Sequence, residues 1–170
     1  MNMMNRPGMP RVIRSKLQRL ATGKEAPRVL DLFAGCGGIS LGFQREGFRL
    51  DAAVELEPLA VATHALNLHR DLPEEKRAIH AIPRDITKIE PGQLVEEFGL
   101  GSPENAFDVI VGGPPCQAYA RIGMAKLREV ALHPEAFKVD PRANLWLRYL
   151  AYVKELRPLA ILMENVPDIL

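Results

Sequence analysis

Five short apolar runs, at residues 28–34, 50–55, 78–82, 108–111 and 159–163, alternate with segments whose apolar residues recur at helical spacing. Each run has the length of a strand, and the intervening segments lie at roughly 38–47, 57–70, 91–98 and 142–156. In the last of these, Leu145, Leu147, Tyr149, Leu150, Val153 and Leu156 fall mostly on one side, and Pro158 stops the helix. Strands that alternate with helices predict an α/β fold with a doubly wound, mostly parallel sheet. Such sheets bind ligands outside the carboxyl ends of their strands, so residues at those ends are the first candidates for a site.

Apolar residues make up 47% of the 170, enough for one domain with a core but short for a two-domain enzyme. Lys plus Arg number 22 against 21 Asp plus Glu, so any basic surface for a nucleic acid must be local. Cys36 and Cys116 lie far apart and outside any CxxC spacing, and His64, His69, His80 and His133 show no ligand spacing. A disulfide scaffold and a metal site are therefore not expected. No apolar run reaches membrane-spanning length, so a soluble, cytoplasmic protein is expected. Residues 1–27 carry Arg6, Arg11, Arg14, Lys16, Arg19 and Lys24 with no acid before Glu25. They read as a basic tail or a short surface helix, with an arm touching phosphates and an Arg-rich presequence as further readings.

Three features fall at strand ends. The stretch 33–38, Phe-Ala-Gly-Cys-Gly-Gly, makes a glycine turn between the first strand and a helix. A dinucleotide fingerprint would require a third glycine at position 40, which is Ser40. Glu55 ends the second run about twenty residues later, where a carboxylate can accept from ribose hydroxyls. Asp85 follows the third run and can accept from an adenine amino group or cap a turn. Together they describe an adenosine-containing ligand without a pyrophosphate, which S-adenosylmethionine fits better than NAD.

The fourth run leads into Gly112-Gly-Pro-Pro-Cys-Gln117. Pro114 and Pro115 each fix their own φ, and Pro115 restricts the residue before it, so the strand exit is a stiff extended arm ending on the Cys116 thiol. A rigid mount suits a nucleophile. The fifth run ends in Glu164, either a helix-capping group or a proton donor to a ligand at the same rim.

In order and spacing, Phe33-Ala-Gly-Cys-Gly-Gly38, Glu55, Asp85, Gly113-Pro-Pro-Cys-Gln117, Asp140-Pro-Arg-Ala-Asn-Leu145 and Glu164-Asn-Val166 resemble the first six motifs of the DNA (cytosine-5) methyltransferases. The resemblance covers about residues 28–170 and implies the N-terminal, cofactor-binding part of a catalytic domain with a Rossmann-like methyltransferase fold. It implies that Cys116 is the nucleophile towards carbon 6 of cytosine, that Glu164 holds and protonates the ring, and that Arg142 supports the wall of the site. Phe33, Ala34, Gly35, Cys36, Gly37, Gly38, Glu55, Asp85 and Pro114 are the expected contacts to S-adenosylmethionine. Gln117, Arg121, Lys126 and Arg128, in the long connection after the nucleophile, are the candidates for contact with DNA.

The implied reaction is methyl transfer to carbon 5 of a flipped-out cytosine in duplex DNA, in a restriction-modification system. A tRNA cytosine methyltransferase and a non-catalytic module with the same fold are the alternatives. The family's later motifs and target-recognition domain are not found in the sequence, so a C-terminal half in cis or in trans, and self-association of this piece, are expected.

Overall fold

The computed structural model describes residues 8–115 and 145–165. Cys116, Gln117, Arg121, Lys126, Arg128 and Arg142 lie outside the described residues. In chain order the elements are α1 (Arg11–Ala21), β1 (Arg28–Leu32), α2 (Gly38–Arg45), β2 (Arg49–Val54), α3 (Pro58–Leu68), α4 (Glu74–His80), α5 (Pro91–Glu97), α6 (Pro103–Ala106), β3 (Val109–Gly112), α7 (Leu145–Leu156) and β4 (Ala160–Met163). The four strands pair in parallel in the order β2-β1-β3-β4. The chain moves outward from β1 to β2 and returns past β1 to β3, so the direction of winding reverses between β1 and β3. The crevice of a doubly wound sheet opens at that point.

The period of two along β1 and β3 divides the core between the two faces, and in β2 the register shift after Leu50 puts Leu50 on one face and Ala52 and Val54 on the other. On one face Leu30, Leu32, Ile110, Ala52 and Val54 pack with Leu94, Val95, Phe107, Tyr149, Tyr152 and Leu156. On the other Val29, Val109, Val111 and Leu50 pack with Leu68, Ile39, Phe43 and Phe48. Strands apolar on both faces are what a parallel sheet between two helix layers requires.

The expectation of a strand at residues 78–82 is overturned, because Glu74–His80 is helical. Pro73 precedes the helix, Glu74 and Glu75 occupy its first turn, and Arg77 and His80 its last, the charge order that a helix dipole favours. What remains of an outer strand is one bond, from the Arg84 N–H to the Glu55 carbonyl at 2.7 Å. That bond brings Asp85 to the carboxyl rim without a ladder.

Residues 11–21, read as part of a tail or as a surface helix, form α1, and its basic side chains bind it to the domain. Lys16 is 1% exposed. Its Nζ donates to the carbonyls of Phe107 at 2.6 Å, Leu156 at 3.1 Å and Arg157 at 2.8 Å. Arg19 donates to both oxygens of buried Asp108, which also accepts from the Arg28 N–H. These acceptors precede β3 or β4, so α1 lies at the end of the sheet opposite to the carboxyl rim.

At the other margin β4 has no strand beyond it among the described residues. Ile161, Leu162 and Met163 are 50%, 48% and 37% exposed. Trp146, Leu147 and Leu150 of α7 are exposed as well.

Candidate active site

The turn after β1 is shaped by its backbone. Phe33 takes a left-handed φ of 60°, and the N–H groups of Phe33 and Ala34 both donate to the Val54 carbonyl, at 2.8 and 3.2 Å. Gly37, with φ 94°, caps the start of α2. A Cβ there would stand 2.5 Å from Leu68 Cδ1 and 2.9 Å from His64 Cδ2, so only glycine fits between the turn and α3. Cys36, within the turn, is exposed.

Glu55 closes the turn from the β2 side. Its Oε2 accepts from the Gly35 N–H at 2.8 Å, and its Oε1 accepts from the N–H groups of Leu56 and Glu57 at 2.8 and 2.9 Å. The Glu55 carboxylate thereby ties the end of β2 to the turn after β1. A carboxylate offers about four lone-pair sites. Three are filled, so one is left on Oε2 for a ligand hydroxyl, and a second hydroxyl has to displace a backbone N–H.

Asp85 forms a turn with Thr87, whose N–H and hydroxyl donate to Oδ1 at 2.9 and 2.7 Å. Those bonds, with Lys88 3.3 Å from Oδ2, hold its carboxyl below the usual range. An open groove of about 780 Å³ lies beside it, lined in part by Leu56, Pro83, Asp85, Lys88 and Gln93.

The carboxyl ends of β3 and β4 meet a few residues further along the rim. Gly112 pairs with Met163 in register, and the Glu164 N–H continues the ladder to the Gly112 carbonyl at 3.0 Å. The Glu164 carboxylate lies across Gly113, where a Cβ would stand 2.8 Å from Oε2. Asn165 Nδ2 donates to the Pro114 carbonyl at 3.4 Å, so the residue after the glutamate braces the proline arm. Pro114 is buried and Pro115 exposed.

Sequence spacing did not disclose the polar column beneath the turn. Ser40 donates to Asp31 Oδ2 at 2.6 Å and lies 3.2 Å from His64 Nε2. His69 stacks on His80 with ring centroids 3.6 Å apart, and His80 meets Phe98 at 5.1 Å. Burial pulls all three histidines down, His64 to about 4 and His80 to about 3, which keeps them neutral near pH 7. Among the described residues no group of His, Cys, Asp and Glu is arranged to hold a metal ion, and no helix is long and apolar enough to cross a membrane.

A parallel sheet with its winding reversed beside a glycine turn, and acidic residues at three further positions on the same rim, defines a doubly wound α/β protein. The chain belongs to the C-5 cytosine-specific DNA methylase family, which matches it over residues 27–170. It is 33% identical over 140 residues to the type II methyltransferase M.XorII of Xanthomonas oryzae pv. oryzae, covering 82% of this chain and 28% of that protein. It is 34% identical over 139 residues to the type II methyltransferase M.HgiGI of Herpetosiphon aurantiacus, covering 82% of this chain and 90% of that one. A crystal structure of an E. coli prophage protein assigned as a DNA modification methyltransferase superposes with a TM-score of 0.62 at 33% identity, over 85% of this chain and 33% of that chain. The chain spans about a third of the length of six curated relatives that it matches, M.XorII among them.

Proposed function

We propose that the chain is the N-terminal part, residues 28–170, of an enzyme that methylates carbon 5 of cytosine in duplex DNA in a restriction-modification system. The observation that carries this reading is the meeting of Glu164 with the Gly113-Pro114-Pro115 arm at the carboxyl rim, immediately before Cys116 in sequence.

Carbon 5 of cytosine is a weak nucleophile. Addition of the Cys116 thiolate to carbon 6 forms an S–C bond and moves the ring electrons towards carbon 5 and nitrogen 3. Glu164, hydrogen-bonded to nitrogen 3, donates a proton as that charge develops. Carbon 5 then takes the methyl group and gives its proton to water, and the S–C bond breaks to return the thiolate while nitrogen 3 hands its proton back to Glu164. Arg142 supports the wall of the site. Gln117, Arg121, Lys126 and Arg128 contact DNA, and the target base is flipped out of the duplex to reach the rim.

S-adenosylmethionine supplies the methyl group. Phe33 to Gly38, with Pro114, form its cradle, Glu55 accepts from the ribose and Asp85 from the adenine amino group. The fit is supported by the free lone pair on Glu55 Oε2. Glu55→Ala is expected to weaken cofactor binding by roughly 1.5–3 kcal/mol, the range for hydrogen bonds to a charged group. Calorimetric titration of both forms measures it, and equal affinities would remove Glu55 from the site.

The reaction is tested by trapping. Duplex DNA carrying 5-fluorocytosine at the target, added with S-adenosylmethionine to the chain together with its C-terminal counterpart, should give a covalent complex that survives denaturation. Trapping on tRNA in place of DNA would transfer the reading to the tRNA branch. Absence of an adduct with either, in a preparation that binds cofactor, would favour a non-catalytic module.

A further inference from the structure

Ser40, the residue that breaks the dinucleotide fingerprint, is the middle of a buried polar chain that runs from Asp31 to His64 directly beneath the glycine turn. Asp31, Ser40 and His64 are 1%, 0% and 2% exposed. Asp31 Oδ1 and His64 Nδ1 are buried with no hydrogen-bond partner among the described residues. A carboxylate that is fully buried with one oxygen idle is an unusual thing to keep beside a ligand turn.

The chain has a direction. A serine hydroxyl donates one hydrogen bond. When Asp31 is ionised it can only accept, so Ser40 donates to Oδ2, and neutral His64 donates from Nε2 to the Ser40 oxygen. Every proton in the chain then has an acceptor, and the atoms left idle, Asp31 Oδ1 and His64 Nδ1, are both acceptors. When Asp31 is protonated the pairing fails. A proton on Oδ1 meets no acceptor. A proton on Oδ2 turns the Ser40 hydroxyl towards Nε2 and forces the His64 hydrogen onto Nδ1, where again no acceptor stands. The fully paired arrangement is thus reserved for the ionised carboxylate.

Burial opposes that state. It pushes Asp31 up to about 6, with a smaller push from Glu55, against the Ser40 hydrogen bonds that pull it down. The groups that face Asp31 are Ser40 on α2, His64 on α3 with His69 behind it, Glu55 after β2 and Tyr149 on α7. None of these is a cation near neutral pH, and no ion pair among the described residues includes Asp31.

Resting on the cofactor reading above, we propose that binding of a cationic cofactor at the glycine turn is coupled to loss of a proton from Asp31, with the Asp31-Ser40-His64 chain holding the turn in its binding form when Asp31 is ionised. A sulfonium or ammonium charge at the turn favours the carboxylate, and by reciprocity the carboxylate favours the ligand. The sign follows: a folded-state titration near pH 6 leaves Asp31 partly protonated in the free chain, ligand binding depresses it, and affinity rises with pH through that range and then levels off.

The test is calorimetric titration of the full chain with S-adenosylmethionine between about pH 5 and about pH 7.5, in pairs of buffers that differ in ionisation enthalpy. Expected are a rise in affinity of about tenfold across the range and release of a fraction of a proton near pH 6. Asp31→Asn should abolish the proton release. Ser40→Ala removes the bond that favours the ionised form, so it should move the midpoint upward while binding at high pH persists. A serine that only filled space would leave the midpoint where it was, and that result would overturn the proposal even if Asp31→Asn failed to fold. Tight binding with no proton release overturns the linkage alone. No binding at any pH overturns the cofactor reading, and the linkage with it.

Discussion

Cys116→Ser is expected to abolish methyl transfer, lowering incorporation of labelled methyl groups into duplex DNA by about three orders of magnitude or more when the chain is assayed with its C-terminal counterpart. A thiol with an ordinary pKa of about 8.5 supplies thiolate at neutral pH, whereas a serine hydroxyl supplies almost no alkoxide. Carbon 6 is a soft, weakly activated centre, so the missing nucleophile cannot be replaced by tighter binding of either substrate. Cofactor affinity, which the proposal above assigns to the turn after β1 and to Glu55, should be unchanged within about twofold. The pair of readouts separates roles: loss of turnover with retained binding belongs to a nucleophile, and loss of both belongs to a structural cysteine. Near-normal turnover would exclude Cys116 as the attacking group.

The 170-residue chain alone is expected to self-associate and to leave duplex DNA unmethylated. The reason begins at β4. Residues on both faces of this strand are apolar, yet all four are exposed, and among the described residues no strand pairs with its outer edge. Trp146, Leu147 and Leu150 extend the apolar surface over α7. An uncovered edge with apolar residues on both faces is a template for pairing with another chain. Parallel strands of this composition are normally covered by helices on both faces and by a further strand at the side. The second reason is the flipped base, whose unstacking costs about a few kcal/mol and needs protein on the far side of the duplex to offset it. Adding the proposed C-terminal counterpart as a separate chain should convert the self-associated species to a defined complex and restore site-specific methylation. Sedimentation and labelled-methyl incorporation measure the two effects, and a monomeric chain that methylates a specific site unaided would contradict both.

Much of the fold was legible because a parallel sheet imposes a strong local pattern. Val29, Leu30 and Leu32 of β1 and Val109 to Val111 of β3 carry apolar side chains on both faces of the sheet, and that pattern is legible within three or four consecutive residues. The same brevity caused the error at Ala78–Ile82. Over five residues, two isoleucines spaced three apart fit a strand or one turn of helix equally well, and Pro73, Glu74 and Glu75 decided for the helix from outside the window. The rim was legible for a similar reason: a strand end is located once the strand is, so Glu55 and Glu164 could be placed before any coordinates.

What the sequence could not determine were the partners of groups brought together from far along the chain. Lys16 counted as one more charge in a basic segment, but three carbonyls at the amino-terminal edge of the sheet, supplied from residues 107, 156 and 157, surround its ammonium group. Asp31, Ser40 and His64 are separated by nine and twenty-four residues, and no periodicity links them; only the packing of α2 and α3 against the end of β1 makes them a chain. Local patterns are written by the geometry of one helix or strand, whereas burial of a charge depends on which distant backbone groups arrive to satisfy it, and that is decided by the tertiary fold.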